Sequence, residues 1–591
     1  MNNYHPLIYQ LSKLKESSKE AIADAQLEME DDVKKYLHVE RSVEIDLKNI
    51  IKEASAKNGS CLVMVCGNVG DGKSHLLSKL NQDGEFSKYM EAFNIHNDAT
   101  ESFSPDQTCI QTLRDILQPF SDERLPKSSE KWILAINLGT LSNFLEENPI
   151  GFSQLKKFVD ENGIVNPEKF EVRDKFLEDS NFQFVNFTNH HFFDLTKEGV
   201  RAGLFEKLFD KIVNPVPSNP IYVAYSELSS LEWSEKCPVR INFEFFTDRN
   251  NREVLAKLLV ECILKEKLII SFRQILNFIY DILVPYELAE VQVEKYRSQI
   301  ASLPVKLRLD YHMVNYIFER PQLSRIFFSF FKLDPSVRRY ERLDEKAIAL
   351  FTSVDPLKIF TEDFKSLDRQ LIAILKDNFD EQEILFKTYL RLNYFVEHID
   401  SLYADDFFNL FTKALYFSNV KDASGLKEIN ELVKNAAMLW NGSTLEPNKI
   451  MFSNMSRHSS YRLFRNIQFR SLLPSVNQKL EEQVLHQFLT EVKVQFIVPN
   501  RNDPTRNNLI GVDVDYSLYT LLQKVNKGYR PNKLDRNSFI NFVTMVDNLI
   551  YENSAIEDLF IDEVNIGYHL DYKLQLNEYN EFEFSKLNKP L

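Results

Sequence analysis

Apolar residues step at three and four along Val43, Leu47, Ile50 and Ala54, the spacing of one helix face, and Asn58-Gly59 ends that pattern. The next segment, Cys61-Leu-Val-Met-Val-Cys66, is apolar at every position. A short unbroken run of this kind predicts a strand buried on both faces. Similar runs at Phe93–His96, Trp132–Leu138, Phe182–Phe187 and Ile221–Tyr225 predict further strands, with helical or loop segments between them. Strands alternating with helices imply an α/β architecture with a parallel, doubly wound sheet.

After Asp248 the pattern changes. Val254–Leu264 and Phe272–Leu283 read as amphipathic helices, the second stopped by Val284-Pro285, and together they suggest a small helical lid. Residues 346–490 are mainly helical in pattern, strand-like runs return at Val492–Val498 and Leu509–Val514, and the alternation of Tyr568, Leu570, Tyr572 and Leu574 suggests a terminal hairpin. The expected organisation is a helical arm over 1–40, a core over 41–247, a helical lid over 248–345 and a mainly helical region ending in short strands over 346–591. A chain of 591 residues exceeds the roughly 250–300 at which a single core stops growing, so several domains are expected.

Composition narrows the function classes. The net charge of −15 excludes a uniformly basic nucleic-acid coat, so any DNA contact must come from a local patch. Five scattered cysteines, none in a C-x-x-C pair, are not a disulfide framework, and Cys61 and Cys66 read as small buried hydrophobes in a reducing compartment. The sequence has no stretch of 18 apolar residues and no export signal at its amino terminus, so a cytoplasmic protein is expected.

The segment with the clearest chemistry is Gly67-Asn68-Val69-Gly70-Asp71-Gly72-Lys73-Ser74, a full match to G-x-x-x-x-G-K-S/T, with His75 following. Glycines let successive backbone N–H groups converge on phosphate oxygens, and the helix that comes next presents its positive end to the same anion. Lys73 would reach the β- and γ-phosphates of ATP and the Ser74 hydroxyl would ligate Mg²⁺. Hydrolysis also needs a carboxylate at the end of a buried strand. The strand over Trp132–Ile136 ends in Asn137, so Asp98 is the favoured acid and magnesium ligand, with Glu227 as an alternative. Arg273, Arg338 and Arg339 are candidates for contact with a γ-phosphate.

Several segments together resemble a known family: Gly67 to Leu77, Ile95-His-Asn-Asp-Ala-Thr-Glu-Ser102, Leu134-Ala-Ile-Asn-Leu-Gly-Thr-Leu141, Phe272 to Pro285, Leu333-Asp-Pro-Ser-Val-Arg-Arg339 and Gly528-Tyr-Arg-Pro-Asn532. The chain resembles the DptF family, the F subunits of DNA phosphorothioation-dependent restriction systems. The resemblance implies a P-loop nucleotidase core with an AAA+-like parallel sheet. It further implies G and H partner subunits, and ATP-dependent action against DNA lacking the sulfur mark. A nucleotide-dependent scaffold with little turnover is the alternative.

Two basic segments could meet a DNA backbone. One holds Arg457, His458, Arg462, Arg465 and Arg470 among aromatics. The other, preferred, places Lys524, Lys527, Arg530, Lys533 and Arg536 around Gly528-Tyr529 in a loop between helices. Asp558 with Asp571 and Lys573 only loosely resembles a metal-dependent nuclease, and the pair His190-His191 reads as structural.

Overall fold

The computed structural model describes residues 4–15, 32–97, 109–148, 150–165, 176–337, 341–364, 369–377, 382–396, 405–442, 448–451, 461–474, 483–503, 505–553, 559–563, 570–576, 579 and 581–587. The chain divides into two compact units. The first comprises Met1–Asp194, Val200–Ala404 and Leu485–Phe488, and the second Leu195–Gly199, Asp405–Val484 and Leu489–Leu591.

In the first unit, strands β1 (Cys61–Cys66), β2 (Asn94–His96), β3 (Lys131–Ile136) and β4 (Phe182–Asn186) form a sheet in the order β2-β3-β1-β4. All three pairings are parallel, with Cys66 opposite Ile136 on one side and Asn186 on the other. The fold is therefore α/β, as the alternation of runs and helices predicts. Every residue of β1 is buried. Because side chains alternate along a strand, Cys61, Val63 and Val65 join one core and Leu62, Met64 and Cys66 the other. The first core takes the apolar faces of helices Ser42–Ala56 and Lys73–Gln82, including Val43, Leu47, Ile50, Ala54 and Leu77. The second takes helices Cys109–Leu117, Leu138–Glu147 and Ser153–Glu161. Burial pushes the Cys61 and Cys66 thiols up to about 11 and about 12, so both are apolar fillers at neutral pH.

Ile221–Tyr225, expected as a strand, lies instead in helix Pro220–Ser229. Asn219 caps it by accepting the Ile221 N–H at 3.1 Å, and Pro220 occupies the first turn, where its missing N–H costs nothing. The buried positions Ile221, Ala224 and Leu228 are spaced three and four apart, a helical period hidden inside a run that looks β-like when read alone. Glu227 is thus an exposed helix residue and not the end of a strand.

The amphipathic helices expected after Asp248 are present as Arg249–Lys265 and Phe272–Leu283, the second opened by a capping box between Ser271 and Gln274. Further along, Arg391 is buried to 1% exposure and holds the surrounding helices together. Its guanidinium donates to both Asp334 oxygens, at 3.2 and 2.6 Å, to Glu319 at 2.6 Å and to Asn315 at 3.0 Å.

The second unit pairs helices Asp406–Asn419, Ala423–Leu439, Tyr516–Asn526 and Ile540–Glu552 with two antiparallel sheets. In Val492–Pro499, residues Val492, Val494, Phe496 and Val498 are buried and alternate with more exposed positions. Leu570–Leu576 pairs with Phe582–Leu587, the hairpin that the terminal alternation suggests. Among the described residues no helix is long and apolar enough to cross a membrane.

Removing one partner of a buried ion pair strands the other charge. Asp334→Ala should therefore cost about 3–5 kcal/mol of stability in urea unfolding; a loss within the scatter of surface substitutions would show that Arg391 does not depend on this partner.

Candidate functional site

The chain leaves β1 at Cys66 and turns at once into the loop that leads to helix Lys73–Gln82. At Gly67 an added Cβ would stand 2.8 Å from the Phe187 Cβ, so only glycine fits. Gly70 and Gly72 have φ of +85° and +90°, the left-handed region that favours glycine. Gly72 is the N-cap of helix Lys73–Gln82 and supplies no capping side chain, so the cap leaves the first N–H groups of that helix to other acceptors.

Inside the loop the Asn68 N–H donates to Asp71 Oδ2 at 2.6 Å. Lys73 Nζ donates to the Gly67 carbonyl at 3.0 Å and the Asn68 carbonyl at 2.7 Å. Ser74 Oγ donates to the Asn97 carbonyl at 3.0 Å, tying the loop to the chain leaving β2. Burial raises the Asp71 carboxyl above its usual range, against the pull of the Asn68 N–H, Lys73 and Arg41.

Three flanking groups hold this conformation. Arg41, just before helix Ser42–Ala56, donates from Nη1 to the Asp71 carbonyl at 3.1 Å. Its guanidinium lies 5.0 Å from the Phe187 ring centre and 5.5 Å from that of Phe272. Burial pulls its pKa down to about 10, still protonated at neutral pH. On the far side, the Arg273 N–H reaches the Gly70 carbonyl at 3.4 Å. Glu44, in helix Ser42–Ala56, receives Lys48 and, from the helix after the loop, Lys79 at 2.9 Å each, and lies 2.9 Å from His38. Burial opposes its ionisation, yet the hydrogen bonds from His38, Lys48 and Lys79 hold its carboxyl well below the usual range.

Gly67 through Ser74 thus form one turn between β1 and helix Lys73–Gln82, closed on itself by the bonds of Asp71 and Lys73. His75 is next on the helix, its ring 6.0 Å from that of His38. Asn137, at the end of β3, caps helix Leu138–Glu147 through the Thr140 N–H at 2.7 Å. Asp98 lies outside the described residues, as do Arg338, Arg339, Arg457, His458 and Asp558. Arg41, Phe187 and Phe272 escape sequence reasoning, since a lone arginine or phenylalanine carries no spacing signal.

The loop expected around Gly528-Tyr529 does lie between helices Tyr516–Asn526 and Lys533–Ser538. Lys524, Lys527, Arg530 and Lys533 are exposed. Arg536 is turned inward onto Asn441 Oδ1 at 3.0 Å, and Lys527 lies 4.9 Å from the Phe407 ring centre. Arg462 and Arg465 fall in strand Tyr461–Asn466 and Arg470 in Arg470–Leu472, within a stretch expected to be mainly helical. Asp571 and Lys573 lie in strand Leu570–Leu576. His190 meets Ser42 Oγ and the Gln487 amide, each at 2.9 Å, while His191 Nε2 bonds the Phe488 carbonyl at 2.8 Å. Burial lowers both imidazoles, that of His190 to about 3, which agrees with a structural role.

Because the Glu44 carboxyl is depressed in the folded chain, its stabilisation is complete above the unfolded pKa near 4.5 and is lost as pH falls below it. Glu44→Gln should lower unfolding free energy by about 2–4 kcal/mol at pH 7, with the gap to the parent closing as unfolding is followed to lower pH. An equal gap at every pH would refute the charge assignment. No family model matches the chain, and no curated protein or solved structure matches it either.

Proposed function

We propose that the chain binds ATP with Mg²⁺ at Gly67–Ser74 and works as the nucleotide-dependent subunit of a restriction complex acting on DNA that lacks phosphorothioation. The observation that supports the nucleotide reading most strongly is positional. A complete phosphate-loop sequence joins the carboxyl end of a doubly buried parallel strand to a helix start that has no capping side chain. Ligands of open parallel sheets bind at that edge, and such a helix start attracts anions.

The residues present fit a polyphosphate. Gly70 and Gly72 have left-handed backbone, and the N–H groups that begin the helix at Lys73 suit phosphate oxygens. Lys73 is held by two carbonyls of its own loop, from which a phosphate would draw it. Ser74 is the magnesium ligand in this reading, with Asp98 the acid. Bound Mg²⁺ would neutralise charge between the phosphates. Asp71 places a carboxylate inside the cradle, where it holds the Asn68 N–H and opposes a polyanion.

The restriction role, the G and H partner subunits and the AAA+-like character of the sheet rest on the family resemblance, while the helical lid over 248–345 rests on the helices Arg249–Lys265 and Phe272–Leu283. Lys524, Lys527, Arg530, Lys533 and Arg536 are the proposed DNA contacts, carried chiefly by the first four, which are exposed. A switch with slow turnover is the second reading, favoured by Asn137, which puts an amide where β3 could have carried an acid.

Steady-state ATP hydrolysis with and without plasmid DNA tests the main reading. DNA should raise the rate, and Lys73→Ala should lower it by ~10²-fold or more; Asp98→Ala should do the same. Tight ATP binding with no turnover under any condition would select the switch. Separately, Asp71→Asn should tighten binding of a fluorescent ATP analogue by about tenfold, since it removes a like charge and keeps an acceptor for Asn68. Unchanged or weaker binding would show that the carboxylate does not oppose the phosphates.

A further inference from the structure

A cavity lies in the helical part of the first unit, away from the glycine loop in sequence. It encloses about 220 Å³ between the start of helix Pro238–Thr247, helix Val305–Asp310, the turn at His312 and helix Arg369–Asp377. Its walls include Pro238, Ile241 and Ile374, and its polar lining comes from Lys236, Asn242, Arg308 and His312.

Lys236, Arg308 and His312 have donors to spare. Neither Lys236 nor Arg308 has an ion-pair or hydrogen-bond partner among the described residues, and Arg308 Nε is buried with none. Buried guanidinium N–H groups left without acceptors are costly, and Arg308 would ordinarily have a carboxylate beside it. His312 is 2% exposed, and its Nδ1 accepts the Val314 N–H at 3.3 Å. That bond assigns the ring proton to Nε2, which has no hydrogen-bond partner among the described residues. Burial holds the imidazole near a pKa of 4, so at neutral pH it is a neutral donor.

We propose that this cavity binds a small phosphomonoester, with its dianionic head between Lys236, Arg308 and His312 and its body against Pro238, Ile241 and Ile374. Two unpaired cations match a dianion better than a single carboxylate, and a planar guanidinium suits phosphate oxygens. Size sets the other limit. The volume equals that of about seven waters, enough for a phosphate with a few carbon atoms and too little for a nucleoside triphosphate. The cavity is therefore separate in chemistry as well as place from the site proposed for ATP.

Isothermal titration of the full chain with glycerol 3-phosphate, in buffer free of nucleotide and phosphate, is the test. Binding should weaken at least tenfold in Arg308→Gln and in Lys236→Gln, and persist in Lys73→Ala. Lys236 is exposed, so its replacement leaves folding intact and guards against a misfolded Arg308 variant. Glycerol should not bind, and inorganic phosphate should bind more weakly than the ester. No heat with either phosphate would overturn the proposal. So would binding lost in Lys73→Ala but kept in both cavity variants, which would place the probe at the glycine loop instead.

Discussion

The arrangement of the first unit depends on one constraint, that a six-residue strand is covered on both faces. Cys61, Val63 and Val65 need one apolar layer and Leu62, Met64 and Cys66 another, so β1 has to lie inside its sheet with helices on each side. Parallel neighbours satisfy its backbone, and with the edges taken by β2 and β4 the carboxyl end of β1 becomes the natural exit toward solvent. Fully burying a residue such as Leu62 contributes about 1.5–3 kcal/mol, so even one slip in register, which would exchange the two cores, is strongly disfavoured. The fixed register in turn sets where Gly67 begins.

The glycine loop after β1 is held from several directions. Phe187 excludes any side chain at Gly67, Arg41 grips the Asp71 carbonyl, and the Asn97 carbonyl takes the Ser74 hydroxyl. Each restraint comes from a different part of the chain. Glu44, one turn into the helix that Arg41 precedes, fixes the same helix against Lys79 on the helix beyond the loop. The buried Glu44 carboxylate is tolerable because His38, Lys48 and Lys79 match it, and these pairs add to the apolar core that the same two helices share.

Much of this is legible in the sequence, and the exceptions have physical causes. The run at 61–66 can be read because burial on both faces leaves no polar position to confuse the period. The glycine loop can be read because backbone chemistry restricts the residues at 67, 70 and 72. Ile221–Tyr225 reads wrongly as a strand because its β-branched and aromatic residues mask a helix whose decisive signals, Asn219 and Pro220, lie just before the run. Arg462 and Arg465 belong to a segment that pairs as a strand, since long-range pairing overrides local helical spacing. Arg41, Phe187 and Phe272 meet only in three dimensions, and nothing in one sequence joins positions so far apart.

The bond from the Arg273 N–H to the Gly70 carbonyl has a dynamic consequence. It is made at the very start of helix Phe272–Leu283, and it lands on the loop, not on another helix. The helix start and the loop crest thus share one opening event. A deuterium label entering the amide of residue 273 would report on the seating of the loop, and the exchange clock of a distant helix becomes a gauge of the local order around Gly70.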